Sequence, residues 1–284
     1  MVGEVVEYLA IRPSGTYLDA TTGLGGHAEA ILSRLTDGKL IANDRDAESL
    51  ELARKRLEPW KQQACFLHGA FADLETGLAK IGAGPVNGLI ADLGVSYWQL
   101  THPERGFSFQ SDAPLDMRMD RSQELTAADL INTLAERELA DLIYNLGEER
   151  RHVRKLARAI VRARPLQTAR RLAAVIEAAV PRAPHQKLHP ATRVFMALRL
   201  AVNRELEELD TLLEALPRLV GSGGRAVFLT FHSLEDRKVK RAFQALARGQ
   251  AGKILTKHVV RPGAEEVREN PPSRSAKLRA FEMN

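Results

Sequence analysis

The first hundred residues alternate short apolar runs with amphipathic stretches of helical period, and this alternation constrains the fold more than any other feature of the chain. Strands that alternate with helices form a parallel sheet with helices packed on its faces. We expect four strands before about residue 93. The strands are predicted in TYLDAT, KLIAND, CFLHGAF and VNGLIADLG. The helices between them are predicted in HAEAILSRL, AESLELARKRL and ADLETGLAKIG.

The strand pattern stops after the fourth strand. From about Ala127 to Asn203 the chain has the pattern of helices separated by proline-bearing turns, and AADLINTLAERELADLIYNL has helical period throughout. Strand patterning resumes at GGRAVFLTF and ends in KLRAFEM. The helical block is therefore predicted to be an insertion at 103–205 in a sheet domain formed by 1–102 and 206–284.

Composition indicates a globular protein of a reducing compartment. With 284 residues, 44% of them hydrophobic, the chain can bury a large core. No apolar run approaches the roughly 20 residues that span a bilayer, and Glu4 and Glu7 are unlike a basic leader, so we expect a cytoplasmic protein without a membrane partner. The single cysteine, Cys65, excludes an internal disulfide. His185 and His189 have helical spacing, but flanking prolines and the lack of a third ligand predict no metal site.

Charge is unevenly distributed along the chain. Residues 1–102 carry 9 Lys/Arg against 13 Asp/Glu, whereas residues 145–205 carry 14 against 4. Such a basic block is typical of a phosphate-binding surface, although a solvated helical face would have the same composition. The candidate RNA contacts within it are Arg150, Arg151, Arg154, Lys155 and Arg193.

A predicted strand that ends in Asp19 is followed by a glycine loop and a helix start, in DATTGLGGH. Two cofactor classes use such a loop. Gly23, Gly25 and Ala28 satisfy the dinucleotide pattern G-x-G-x-x-A, so NAD has to be considered. Asp19 favours S-adenosylmethionine instead, because a carboxylate repels a pyrophosphate and attracts the cationic methionine end.

Two further carboxylates end predicted strands. Asp44 is placed to accept the ribose hydroxyls of either cofactor, or to cap the next helix together with Asp46. Asp92 ends the fourth strand, at the sheet edge where α/β enzymes carry out their chemistry. It could accept the N–H groups of an exocyclic amine, bind the cofactor, or cap a turn.

Several long stretches carry a family resemblance: DATTGLGGH, ANDRD, DLGVS with Gln99, ERGFSF, PLDMRMD, GEERR, HPATRVF, ALRLAVN, TFHSLEDRKVK and NPPSRSAKLRA. In these stretches the chain resembles the RsmH (MraW) family of 16S ribosomal RNA cytosine-N4 methyltransferases. The resemblance implies an α/β fold, with a class I (Rossmann-like) S-adenosylmethionine-dependent methyltransferase sheet and an inserted all-helical substrate domain. It also implies action on a cytidine in the decoding region of the small ribosomal subunit.

The resemblance also implies which residues contact the cofactor. Besides Asp44 and Asp92, these are Gly25, Gly26, His27, Phe71 and Gln99. Taken without the resemblance, His27 could equally be a helix cap and Phe71 plain core. Tyr97 and Trp98 depart from the family pattern beside Gln99 and alter the shape of that loop.

Further candidate RNA contacts lie in the last third of the chain, at His232, Arg274 and Lys277; His232 could instead cap the following helix. Three classes of function therefore stand side by side: an RNA methyltransferase, an NAD-dependent oxidoreductase, and a ribosome-binding assembly factor without catalysis. The sequence favours the first. It leaves the oligomeric state open, a homodimer included.

Overall fold

The computed structural model describes residues 1–109, 112–181 and 189–284. The chain divides into two compact units, unit 1 with Met1–Gly94 and Leu206–Asn284, and unit 2 with Val95–Glu205. The first boundary predicted from the sequence, residue 102, lies inside unit 2, because Val95 already packs against the hydrophobic core of that unit.

Unit 1 is built on a seven-stranded sheet of order β3-β2-β1-β4-β5-β7-β6. The first five strands are parallel, whereas β7 runs antiparallel to both β5 and β6. The predicted α/β class and its strands are confirmed, and β6 is an additional short edge strand. The strands are β1 (Thr16–Asp19), β2 (Lys39–Asp44), β3 (Ala64–His68), β4 (Val86–Asp92), β5 (Val220–Thr230), β6 (Gly252–Ile254) and β7 (Lys277–Met283).

Side chains that alternate along each strand bury both faces of this sheet. Tyr17 joins a cluster on one face, and its neighbour Leu18 joins the cluster on the other. Val227 and Phe228 on β5 divide between the two faces in the same way. Burial on both faces explains why these strands appear as nearly continuous apolar runs.

Helices cover the sheet of unit 1. Asp46 caps the third of them by accepting from the backbone N–H groups of Glu48 and Ser49. The first helix was not predicted from the sequence. The helices are α1 (Val2–Leu9), α2 (Gly26–Leu32), α3 (Ala47–Arg56), α4 (Leu74–Lys80), and, on the later segment, α11 (Glu205–Leu219), α12 (Ser233–Arg248) and α13 (Ala264–Glu269).

Unit 2 is helical and has its own core. The single helical run predicted around Ala127 breaks at Leu134 and Ala135, because the Glu138 side chain accepts from the Ala135 N–H at 2.9 Å and starts a new helix there. The helices of unit 2 are α5 (Tyr97–Thr101), α6 (Ala127–Thr133), α7 (Glu136–Leu146), α8 (Val153–Arg162), α9 (Ala169–Ala179) and α10 (Ala191–Val202). Among the described residues of both units, no helix combines the length and apolarity required to cross a bilayer.

Candidate functional site

The carboxyl ends of β1 and β4 form the switch point of the sheet in unit 1. β1 pairs with β2 on one side and with β4 on the other, so the chain leaves these neighbouring strands in opposite directions. Open parallel sheets bind ligands in the crevice at such a point. Asp19 ends β1, Asp44 ends β2 and Asp92 ends β4, so the structure brings the three predicted carboxylates to one edge.

Asp44 holds the glycine loop in place. Its Oδ2 accepts from the Gly23 N–H at 2.7 Å, and its Oδ1 accepts from the Asp46 N–H at 2.9 Å. Gly23 and Gly25 have φ values of 51° and 83°, which side-chain-bearing residues rarely adopt. Helix capping thus belongs to Asp46. Burial raises the pKa of Asp44 to about 6 even though both N–H donors act to lower it.

His27 lies in the first turn of α2 and faces the end of β4. Its Nε2 lies 3.4 Å from Asp92 Oδ2, and the Asp92 N–H donates to Thr21 Oγ1 at 2.6 Å. Burial acts to lower the pKa of His27, but the hydrogen bond and charge of Asp92, with the charge of Asp19, raise it above its ordinary value. His27 therefore orients the Asp92 carboxylate, and Thr21 holds the backbone of the same residue.

Asp19 is an acid in an environment that disfavours its charge. The residue is 1% exposed, and its Oδ1 accepts from the Thr21 N–H at 3.2 Å. Burial, reinforced by the charges of Asp92 and Asp44, raises its pKa to about 7, although His27 and the Thr21 N–H act to lower it. A cation placed beside Asp19 would favour the ionised carboxylate.

Asp19, His27 and Asp92 each have one buried polar atom without a hydrogen-bond partner among the described residues: Asp19 Oδ2, His27 Nδ1 and Asp92 Oδ1. Buried polar groups are nearly always satisfied, so such a cluster indicates where a polar ligand binds. Asp19 Oδ2 belongs to a carboxylate, which suits a positively charged group and disfavours a pyrophosphate. The site therefore fits the aminoacyl end of S-adenosylmethionine better than it fits NAD.

Among the remaining predicted cofactor contacts, Gly26 begins α2, and Phe71 and Gln99 have structural roles. Phe71 follows β3, packs against one core cluster of unit 1, and donates its N–H to Glu208 Oε2 at 3.0 Å. Gln99 lies buried in α5 of unit 2, where its Oε1 accepts from the Ser96 N–H at 2.9 Å. Tyr97, which departs from the family pattern, is 71% exposed.

The predicted basic surface of unit 2 surrounds the start of α8. Leu156 and Ile160 turn one face of this helix toward the core, so its charged residues are exposed. Arg150 also lies over the Tyr144 ring at 4.7 Å and donates to its hydroxyl at 2.6 Å. The exposed basic side chains are those of Arg150, Arg151, Arg154 and Lys155.

Arg193 differs from this set because it is already paired. Its Nη1 lies 2.8 Å from Glu149 Oε2, and the Glu149 side chain is only 12% exposed. Burial acts to raise the pKa of Glu149, but backbone N–H donors and Arg193 lower it overall. Arg193 as an RNA contact stays a prediction, since its side chain forms this ion pair and is also 49% exposed.

The candidate RNA contacts of unit 1 also divide into paired and exposed residues. His232 directly precedes α12, its side chain is 10% exposed, and its Nε2 lies 2.9 Å from Glu235 Oε1. Its side chain makes no capping hydrogen bond, so the RNA contact and the capping role both stay predictions. Lys277 Nζ lies 3.6 Å from Asp236 Oδ2. Arg274 is exposed in the turn before β7.

Sequence reasoning missed two residues that tie the switch point together. The Thr21 N–H donates to Asp19 Oδ1, and the Thr21 hydroxyl accepts from the Asp92 N–H. Asn43 donates from Nδ2 to the carbonyls of Ala20 and Gly69 at 3.1 and 3.2 Å. Their only sequence signal is a polar residue beside a strand-end aspartate.

His185 lies outside the described residues. His189 Nε2 is 3.9 Å from Glu177 Oε1. Within the described ranges no group of three His, Cys, Asp or Glu side chains could hold a metal ion.

Comparisons with known proteins identify relatives across the whole chain. The model of the MraW methylase family matches residues 1–284. "Ribosomal RNA small subunit methyltransferase H" of Solibacter usitatus is 56% identical and covers 100% of this chain and 98% of its own length. The protein of the same name from Cyanothece is 49% identical and covers 97% and 90%. The crystal structure of a candidate rRNA methylase from Clostridium thermocellum has a TM-score of 0.50 at 11% identity, covering 100% and 97%, and it supports the fold alone.

Proposed function

Because this chain belongs to the MraW methylase family, and is thus an S-adenosylmethionine-dependent methyltransferase, we propose that it methylates the N4 amine of one cytidine in the decoding region of 16S ribosomal RNA. We further propose that it acts in the cytoplasm, on RNA within the small ribosomal subunit. The names of its relatives support a substrate in the small subunit. The basic surface of unit 2 supports a polyanionic partner.

Asp92 carries the proposed chemistry. The lone pair of the cytosine amine is delocalised into the ring, so the amine is a weak nucleophile until its N–H groups are held by an acceptor. Asp92 Oδ1 is buried at the switch point without a partner among the described residues, and this observation carries the proposal. His27 beside Oδ2 orients the carboxylate so that Oδ1 remains for the substrate.

Methyl transfer forms one bond, breaks another and releases one proton. When bound, S-adenosylmethionine supplies an electrophilic methyl group on a sulfonium. The cytosine N4 forms a bond to that methyl carbon, the carbon–sulfur bond breaks, and N4 loses one proton. Asp92 accepts this proton, an assistance that contributes about 100-fold to 10,000-fold in general-base catalysis.

The decisive experiment incubates small ribosomal subunits that lack the modification with S-adenosylmethionine labelled in its methyl group, followed by digestion to nucleosides. We expect label in N4-methylated cytidine from one position. Subunit binding without transfer would favour an assembly factor. Calorimetry separates the cofactors, since we expect heat from S-adenosylhomocysteine and none from NAD; tight NAD binding alone would favour an oxidoreductase.

A further inference from the structure

A second basic segment lies in unit 1, outside the switch point. Residues 237–261 contain eight Lys/Arg and no Asp/Glu. The segment covers most of α12, all of β6 and the turn after it. We call residues 237–261 the α12–β6 segment.

Most cations of the α12–β6 segment are not neutralised. Lys238 pairs with Asp210, and Lys253 Nζ lies 2.7 Å from Glu282 Oε1. The remaining six are exposed and form no ion pair with any described residue: Arg237, Lys240, Arg241, Arg248, Lys257 and Arg261. Like charges held together on one surface destabilise the folded state, so such clustering favours an anionic partner.

Two of these cations, Lys240 and Lys257, flank a groove of about 260 Å³. The exposed side chain of Gln244 contributes hydrogen-bonding groups to the groove, whereas the Thr256 hydroxyl is buried and accepts from the Ala280 N–H. Ile254, which is 38% exposed, provides an apolar wall, and Phe243 lies beneath it in the core. The lining thus combines cations for a phosphate, polar groups for a sugar and an apolar face for a base.

The groove is distinct from the cofactor crevice, yet within reach of it. It belongs to the β7-β6 end of the sheet, and β6 lies three strand spacings from β4, or roughly 15 Å. α12 begins at Ser233, just after the carboxyl end of β5, at the edge that holds Asp92. Lys240 follows Ser233 by about 10 Å along the helix.

We propose that this groove binds the phosphodiester backbone of the RNA substrate beside the target nucleotide, with Lys240 and Lys257 contacting phosphate. The inference rests on the proposed function, because it assumes that the substrate is RNA. A polyanion accounts for the whole α12–β6 segment, whereas a single small anion would leave most of its six cations uncompensated. Each phosphate contact releases counterions, so RNA binding through the groove must depend on salt.

The test uses the full chain with Lys240→Gln and Lys257→Gln together. The matched control is Lys55→Gln with Lys80→Gln, which removes two charges from exposed lysines of unit 1 that form no ion pair with the described residues. Binding to unmodified small subunits is measured between 50 and 200 mM salt. Losing two phosphate contacts reduces the log–log slope by about 1.4 to 1.8, so the parent loses roughly 7-fold to 12-fold more affinity over this range than the groove variant.

We expect the groove variant to raise KM for the subunit, with kcat and S-adenosylhomocysteine affinity unchanged, while the control matches the parent. If the groove variant has the parent's salt slope and KM while the parent methylates RNA, the groove inference is wrong and the proposed function stands. If the parent transfers no methyl group to RNA, both fail. Loss of binding to anionic phospholipid vesicles, with RNA binding unchanged, would also overturn the inference in favour of a lipid surface.

Discussion

Replacing Asp19 by Asn should stabilise the protein without ligand at alkaline pH. The folded protein raises the pKa of this carboxyl from 3.8 to about 7, chiefly by burial. Between these values the folded chain keeps a proton that the unfolded chain has lost. Stability therefore falls as pH rises through this window and stays lower above it.

The magnitude follows from the size of the shift. About three pKa units at 1.36 kcal/mol each correspond to roughly 4 kcal/mol at pH 8. Asn keeps the volume of Asp and carries no charge, so the variant should lack this penalty. We expect the free energy of unfolding of the Asp19→Asn variant to exceed that of the parent by a few kcal/mol at pH 8, and the two to be nearly equal at pH 4.

Urea denaturation followed by circular dichroism, at several pH values from 4 to 8, measures this difference. Asp37→Asn serves as the control, because it removes an exposed carboxylate elsewhere in unit 1. His27, Asp92 and Asp44 also act on Asp19, and they remain in both variants. A free-energy difference between Asp19→Asn and the parent that is constant with pH would refute the reasoning. The same variant should bind S-adenosylhomocysteine more weakly, since the cation near Asp19 loses its counter-charge.

Three further predictions concern binding and catalysis. Asp44→Ala should weaken S-adenosylhomocysteine binding by about 1 to 3 kcal/mol in calorimetry. Asp46→Ala should instead lower the free energy of unfolding by about 1 kcal/mol, because the helix cap is lost. If the Asp44 variant binds the cofactor product as tightly as the parent does, Asp44 only holds the glycine loop. Asp92→Asn should fold normally and lose about 100-fold to 10,000-fold in methyl transfer, and full activity would remove Asp92 from catalysis. Neutralising four cations of unit 2 together should flatten the salt slope of subunit binding by about 3, with cofactor binding intact; an unchanged slope would make this surface only a solvated face. These four are Arg150, Arg151, Arg154 and Lys155.

The first five strands could be predicted because each contains a short apolar run and ends at a polar residue, and β7 could be predicted from its apolar alternation. β6 could not, since Gly252–Ile254 is too short for alternation to be visible and depends on pairing with β7. The break at Leu134 also lacked a signal, because no Gly or Pro stands there and the new helix depends on the Glu138 side chain. Local patterns thus predict elements better than they predict where tertiary contacts end them.

In the candidate site too, local patterns predicted some features, whereas those that depend on tertiary contacts could not be predicted. The positions of Asp19, Asp44 and Asp92 followed from strand ends, which periodicity reveals. The role of Thr21 did not, because it depends on a hydrogen bond to a strand far along the chain. The ion pair of Arg193 with Glu149 could not be predicted either, because folding alone brings these two residues together.

The adjacency of β4 and β5 has a consequence for synthesis. These strands pair in the sheet, yet all of unit 2 lies between them in the chain. At about 5 to 20 residues per second, a ribosome needs roughly 6 to 25 s to pass from β4 to β5. Throughout that interval the nascent β4 has no permanent neighbour on one side, and an unpaired strand edge recruits other chains. The growing polypeptide must therefore be protected from self-association before it can complete its own sheet.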